Sequence, residues 1–505
     1  MSKNLKPKDC AVPSASAPMV ADAYEYTMAE ANIVNQITGI KSIFNAALRG
    51  MPTNKVVGEF EHKGIKYPEL QKRSFMINCG LEQVLALVTN TTPEGMVVIK
   101  NYFKDILGNK NQEFLDWIEQ FSFKGDLYAM DEGIPFFSHE PLVKVVDDFE
   151  SGQLFESVIL SVLNREINVA TTAHDVYNAC KDKVLLEGAS RRAMSQQDAI
   201  MLSRAALIGG FTATSNVGYG IQNDTKVGGT HGHSYVLLYG SEYEAFTAQA
   251  KLHGDNTTFL LDTYGNVKRA MFIALIVAEE QGLNHWKYRL DSGDLLKQAI
   301  WIHSAMKKCN FKRNQYDIVA SDDLNAGKIA AIEAGGGDIA SYLMGTFLSI
   351  QSKGPGIVFK LTAREGEEGR WIPTAKYSEN PAKSTIGGDL QIYRIEGSDG
   401  FYVKDIIALA DEEIGGLIKE GEKAKGLLKQ RIQGGKLIYP IPTISEIQQI
   451  RDEELAKFKD IENYPVFRSN KVKDTQDEIK REIDSQNSKV IIPEKFRKIF
   501  EEECK

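Results

Sequence analysis

Between residues 257 and 346, four short apolar runs each end in polar or glycine residues, and helical patterns lie between them. Thr257–Leu261 leads into Asp262, Lys287–Leu290 into Asp291, Asp317–Ala320 into Asp322 and Asp323, and Ile339–Met344 into Gly345 and Thr346. Asp262, Asp291, Asp322 and Gly345 follow one another at intervals of 29, 31 and 23 residues. A strand, its helix and the return to the next parallel strand take about 30 residues, so this spacing predicts consecutive βα units. Leu295, Ala299, Ile302 and Met306 make one apolar helical face between the runs, and Leu324, Ile329 and Ile332 part of another. In such folds the carboxyl ends of the strands share one face, where ligands bind. Asp262, Asp291, Asp322 and Gly345 are therefore expected to converge. The competing reading is that each aspartate caps the helix after it, since Asp is a favoured N-cap.

The rest of the chain is organised around this core. Residues 19–50 read as a helix running into the strand-like Lys41–Leu48, and the polar, basic 53–73 as a loop or hairpin with the look of an insertion. Residues 80–120 alternate helical patches with Gly and Asn breaks. Residues 123–148 read as short strands with a turn at Glu132-Gly133-Ile134-Pro135, followed by a long helix over Leu154–Lys181. Beyond 355, Ile357–Leu361, Arg370–Pro373 and Leu390–Ile395 look like strands between glycine-rich turns, and 443–505 is charged and helical. At 505 residues the length suits about three domains. The division expected is a flexible tail (1–18), an N-terminal α/β segment contributing to a second domain (19–150), an α/β core (151–355), a β-containing segment (356–440) and a helical C-terminal segment (441–505).

Composition narrows the partners. With 43% hydrophobic and 25% charged residues this is an ordinary globular chain, not a disordered, collagenous or coiled-coil one. A net charge of −8 leaves no basic footprint for nucleic acid, although a local site for small anions can oppose the global sign. The five cysteines are scattered, form no CxxC and are odd in number, which points to a reducing, cytoplasmic setting rather than a disulfide framework. The longest pure apolar run, Ala270–Ala278, falls short of the roughly 20 residues of a membrane span, so no membrane partner is expected. The first 18 residues have lysines but no apolar stretch, so they do not read as a secretory leader.

Two stretches carry chemistry. Gly228-Gly229-Thr230-His231-Gly232-His233-Ser234 sets two histidines among glycines that let backbone approach a ligand. A histidine there can serve as base, metal ligand, nucleophile or plain structural group. Two histidines without a third ligand in the motif do not make a metal set, and no protein-bound metal is assigned. Arg289-Leu290-Asp291-Ser292-Gly293-Asp294 puts a cation and two carboxylates at one strand end, which suits a ribose phosphate. Met344-Gly345-Thr346 can offer backbone N–H groups to phosphate, or be a plain turn.

Over roughly residues 20–470, these runs together resemble the nicotinate phosphoribosyltransferase family. Asp22-Ala23-Tyr24-Glu25-Tyr26-Thr27-Met28 is similar to its D-x-Y-x-x-T-M, and Glu132-Gly133-Ile134-Pro135 with Glu140-Pro141-Leu142 to its E-G-x-P-x-x-x-x-E-P-L. Gly209-Gly210-Phe211 with Thr214-Ser215-Asn216, Gly229-Thr230 with His233-Ser234, Leu261-Asp262-Thr263-Tyr264 and the Arg289–Asp294 run match in order and spacing.

The resemblance implies an irregular TIM-like α/β barrel, a second sheet-containing domain built from N- and C-terminal segments, and a homodimer. It implies the joining of nicotinate to 5-phosphoribosyl diphosphate, with ATP and its Mg2+ as co-substrate and hydrolysis coupled through a phosphohistidine. It makes His233 the modified residue, Asp262 its orienting partner, and Arg289 and Asp291 contacts for phosphoribosyl diphosphate and base. Gly345 and Thr346 bind phosphate, with Arg49 and Lys360 as further basic groups near the phosphates. Arg191 faces the nicotinate carboxylate, and Tyr24 stacks on the pyridine from the partner subunit. The alternatives are the nicotinamide-using enzyme and a non-catalytic ligand-binding relative. Two departures stand out. The family's F-G-x-R-R is here Glu187-Gly188-Ala189-Ser190-Arg191-Arg192, so Gly188 replaces an aromatic, and one wall of the base site is expected to be missing or supplied from elsewhere. The third strand ends in Ser321-Asp322-Asp323-Leu324-Asn325 rather than a G-G-L-D-like run.

Overall fold

The computed structural model describes residues 17–62, 65–107, 111–350, 354–378, 383–489 and 491–503. Most of the tail expected over 1–18 lies outside them.

The four runs form strands Thr258–Leu260, Trp286–Leu290, Tyr316–Ala320 and Ser341–Met344, adjacent and in that order. Val184–Glu187 and Ala213–Thr214 extend the sheet to six strands, and every neighbouring pair is parallel. The register aligns their carboxyl ends: Leu290 pairs with Ala320, Met344 with Glu187, and Glu187 with Thr214. The helices between them, Val267–Glu280, Leu295–Lys308 and Ala326–Ala334, bury the faces read from the sequence, including Ala299, Ile302, Met306 and Ile329. A closed barrel is not what the ladder shows. Among the described residues, no pairing joins Thr258–Leu260 to Ala213–Thr214. The last strand has two residues, and beside it the chain makes a single parallel bridge, Thr214 to Val227, before turning glycine-rich. Two edges so short offer too few backbone groups to close a ladder.

A second sheet of seven strands takes Lys41–Leu48, Asp126–Ala129 and Pro141–Asp148 from before this core. It takes Ile357–Glu365, Trp371–Pro373, Lys429–Gln433 and Lys436–Leu437 from after it. Lys41–Leu48 lies between Ile357–Glu365 and Pro141–Asp148, antiparallel to both, and is buried along most of its length. The helix Glu156–Ala179, close to its expected bounds, packs against both this sheet and the helices of the parallel one, so a single apolar core runs through the two.

The 53–73 segment is a hairpin, Thr53–His62 with Ile65–Lys72, laid on the helix Ala326–Ala334. A Cβ on Gly327 would come within 2.9 Å of the Gly58 backbone nitrogen, so glycine permits that approach. Lys328 pairs with Glu59 across the contact at 3.2 Å.

The expected Glu132–Pro135 turn is held by a buried cation. Arg204 is 1% exposed and meets Glu132 at 2.7 Å, Glu82 at 3.0 Å and Glu166 at 3.3 Å. Three carboxylates around one guanidinium would leave excess negative charge in the interior. Burial, opposed by Arg204, pushes the Glu166 carboxyl up to about 7.

Candidate active site

The aspartates at the strand ends are not the helix caps. Asn266 accepts from Arg269 N at 3.1 Å, Asp294 from Lys297 N at 3.0 Å, and Asn325 from Lys328 N at 2.9 Å. With capping done three or four residues later, Asp262 and Asp291 are left to turn toward His233. Asp322 stays exposed, with a backbone φ of 105° that an L residue rarely adopts.

His233 is the first residue of the helix His233–Tyr239, set there by the extended Gly232. Its Nδ1 lies 3.1 Å from Thr263 Oγ1. Its Nε2 lies 3.4 Å from Asp291 Oδ2 and 3.8 Å from Asp262 Oδ1. Each carboxylate spends its other oxygen on a neighbour. Asp262 Oδ2 accepts from Ser292 Oγ at 2.6 Å, and Asp291 Oδ1 accepts from Arg289 Nη2 at 3.0 Å and from Ser321 Oγ. Burial acts to raise Asp291, but the Ser321 hydroxyl and the Arg289 charge outweigh it and hold the carboxyl below its ordinary value. An ionised carboxylate only accepts, so the ring proton belongs on Nε2 and the lone pair on Nδ1. His231 is placed differently. Its ring is buried near Tyr235 and Phe246 with both nitrogens unpartnered, and burial, with Arg289 nearby, pushes its pKa down to about 4.

Arg289, expected to meet substrate, is 8% exposed and committed to protein acceptors. Nε donates to Ser321 Oγ at 2.9 Å, Nη1 to Thr230 Oγ1 at 2.8 Å and to the His231 carbonyl at 3.2 Å, and Nη2 to Asp291. It ties the histidine loop to two strand ends.

Gly188 donates to the Met344 carbonyl at 2.7 Å. A Cβ on Gly188 would lie 3.0 Å from Leu343 Cδ1, and one on Gly345 3.0 Å from the Gly188 carbonyl. The two glycines pack strand end against strand end, so position 188 faces a neighbour rather than the missing wall read from the sequence. Just beyond, Arg191 is exposed on the short turn Ser190–Arg192. Thr346 opens a four-residue helix whose Ser349 hydroxyl donates to the Arg192 carbonyl.

A second group gathers elsewhere. Tyr24, 46% exposed, donates to Glu156 Oε2 at 2.7 Å, and Lys360 Nζ donates to Glu156 Oε1 at 2.8 Å. Burial and the Glu156 carboxylate push the Tyr24 phenol well up. Arg49 and Lys360 line one pocket with Asn45, His139, Thr362 and Thr385 on the antiparallel sheet. Tyr26, not Tyr24, is the core aromatic of the first helix, packed on Phe103. Among the described residues, no hydrogen bond or ion pair joins this group to His233, Asp262 or Asp291.

No family model matches the sequence. The chain is 32% identical over 478 residues to the nicotinate phosphoribosyltransferase of Bacillus subtilis, spanning 89% of this chain and 92% of that one. The chain belongs to the nicotinate phosphoribosyltransferase family. A relative of the same name from Dictyostelium discoideum is 27% identical over 88% of this chain and 83% of its own. Two solved structures share the fold. Human nicotinic acid phosphoribosyltransferase has a TM-score of 0.73 at 21% identity, covering 91% of this chain and 99% of that one. The nicotinate-nucleotide pyrophosphorylase of Pyrococcus furiosus has 0.67 at 20%, covering 87% and 95%.

In this member of the nicotinate phosphoribosyltransferase family, sequence reading missed Thr263, Ser292, Ser321, Thr230 and Glu156. Thr263 and Ser292 sit inside matched runs, next to the aspartates that drew attention. Ser321 stood in a run noted only as a departure, and nothing local marked Glu156.

Proposed function

We propose that this protein is a nicotinate phosphoribosyltransferase of NAD salvage, with ATP hydrolysis coupled through a phosphohistidine on His233. The observation that carries this reading is the asymmetry around His233: two carboxylates face Nε2, and a single hydroxyl faces Nδ1. That leaves Nδ1 as the nucleophile for a phosphoryl group. The resulting ring charge is shared with Nε2–H, where Asp262 and Asp291 stabilise it.

In the transfer itself, the pyridine nitrogen of nicotinate forms a bond to the anomeric carbon as the bond to diphosphate breaks. Catalysis of that step is mainly positioning and charge placement. Arg191, exposed beside the glycine contact, supplies a cation for the nicotinate carboxylate. Gly345 and Thr346 border the same strand end and take phosphate. Asp262 and Asp291 are the carboxylates that would hold the Mg2+ carried by the phosphates, with His233 left to the phosphoryl group.

In the homodimer read from the family resemblance, Tyr24, Arg49 and Lys360, which gather around Glu156 and the antiparallel sheet rather than around His233, serve the partner's site. We read the six parallel strands with their helices as an incomplete form of the family's irregular barrel, its ladder left open between Thr258–Leu260 and Ala213–Thr214. The protein is assigned to the cytoplasm on its cysteine usage, and Cys79, Cys180 and Cys309 are free. No helix among the described residues is long and apolar enough to cross a membrane.

A product assay with nicotinate, nicotinamide and quinolinate, with and without ATP, tests the reading. Nicotinate should be used far better than the other two, and ATP should raise turnover. Equal rates on nicotinate and nicotinamide remove Arg191 from its role and the acid from the substrate site.

A further inference from the structure

We infer that Thr263 is the positioning residue of the phosphorylation step: its hydroxyl fixes the His233 ring with Nδ1 presented, then turns to the phosphoryl group that Nδ1 receives. The inference rests on the phosphohistidine reading above.

The geometry leaves Thr263 one role toward the ring. The Nδ1–Oγ1 separation of 3.1 Å is a hydrogen bond in which either atom can donate. If Nδ1 donated, the bare Nε2 lone pair would face the Asp262 and Asp291 oxygens at 3.8 and 3.4 Å, acceptor against acceptor. With the proton of the neutral ring on Nε2 both contacts turn favourable, and Thr263 is then the donor. Its place is set from both sides. It follows Asp262, whose carbonyl accepts from Gly265 N at 3.3 Å, and it precedes Asn266, the cap of the next helix. A β-branched side chain in so short a turn has few rotamers to choose from.

A hydroxyl on the attacking lone pair gives the resting enzyme a defined ring orientation and need not block the reaction. As the bond from Nδ1 to the γ-phosphorus forms, the bond from that phosphorus to the β,γ-bridging oxygen breaks, and its electron pair leaves with ADP. No proton leaves the ring, because Nδ1 carried none. The positive charge spreads to Nε2–H, which already faces two carboxylates. The Thr263 O–H, displaced from Nδ1, is left within reach of an oxygen on the new phosphoryl group.

The test measures phosphohistidine formation from γ-labelled ATP, with separation of the Nδ1- and Nε2-linked isomers. Wild type should carry the phosphate on Nδ1. Thr263→Val should form it about tenfold more slowly at saturating ATP, equivalent to the loss of one hydrogen bond of about 1.4 kcal/mol, with little change in half-saturating ATP. Thr263→Ser, which keeps the donor, should stay within about threefold of wild type, a rescue that lost packing alone would not give. Thermal melts check the fold, and Thr263→Ala replaces the valine variant if that one does not fold. A wild-type rate in the hydroxyl-free variant, or a wild-type phosphate on Nε2, overturns the role of Thr263 while leaving the phosphohistidine reading in place. Wild-type protein with no phosphate on His233 overturns both.

Discussion

Arg289→Lys tests whether Arg289 works as a strut or as a free cation. The guanidinium reaches acceptors on three sides: Ser321 at 2.9 Å, Thr230 and the His231 carbonyl at 2.8 and 3.2 Å, and Asp291 at 3.0 Å. A lysine ammonium is a single point and cannot span that fork. If it keeps Asp291, it loses the two bonds to the histidine loop and the one to Ser321. A hydrogen bond from a charged donor is worth roughly 1.5–3 kcal/mol when buried. Thr230 is exposed, and water replaces part of its loss, so the loop anchor is worth about 2–3 kcal/mol in all. That predicts a fall in kcat/KM for nicotinate of roughly 30- to 150-fold with net charge unchanged. Thr230→Val removes one of these bonds and should cost about fivefold by itself. The decisive measurement is the double variant. If the two residues act through the same contact, Thr230→Val in the Arg289→Lys background costs almost nothing further, a coupling of about 1 kcal/mol. Steady-state kinetics of the four proteins give the cycle. A further fivefold loss in the double variant refutes the strut and returns Arg289 to direct substrate contact.

Two other outcomes follow from positions the structure reinterprets. Gly188→Phe should destabilise the protein by about 1–3 kcal/mol and lower activity, because even its Cβ would sit 3.0 Å from Leu343; tighter nicotinate binding with an unchanged melt would restore the open wall. Glu166→Gln should flatten the pH profile of stability. The buried carboxyl titrates at about 7 in the folded protein against an ordinary 4.5, so the folded state holds an extra proton between these values. The Glu166 contribution to stability is therefore full below about pH 4.5 and is lost, by as much as about 3 kcal/mol, as pH rises through 7. Urea midpoints between pH 5 and 8 check this, and parallel profiles for the two proteins would mean that Glu166 is ionised when folded.

The strand–helix succession was legible because its causes are local. Apolar residues at strand and helix periods, with turns between, dictate Trp286–Leu290 or Leu295–Lys308 from a dozen neighbouring residues. The interval of about 30 residues then brings Asp262 and Asp291 to one face, since parallel strands end together. The same reading could not say whether those aspartates cap helices. Asn266, Asp294 and Asn325 stand close by with similar chemistry, and only the folded backbone shows which side chain meets which N–H.

What the tertiary structure decided are contacts between distant residues. Lys41–Leu48 pairs with Ile357–Glu365, more than 300 residues on, through generic backbone groups that any strand offers. Ser321 meets Asp291 because their strands share a register. Arg289 is a strut rather than a free cation because Thr230 comes to it from 59 residues away. Gly188 looks like a missing wall until Leu343 is seen against it. Residue type and local spacing determine which elements form and which chemistry is available. The partner of each side chain is decided by register and packing across the core, and these depend on the whole chain at once.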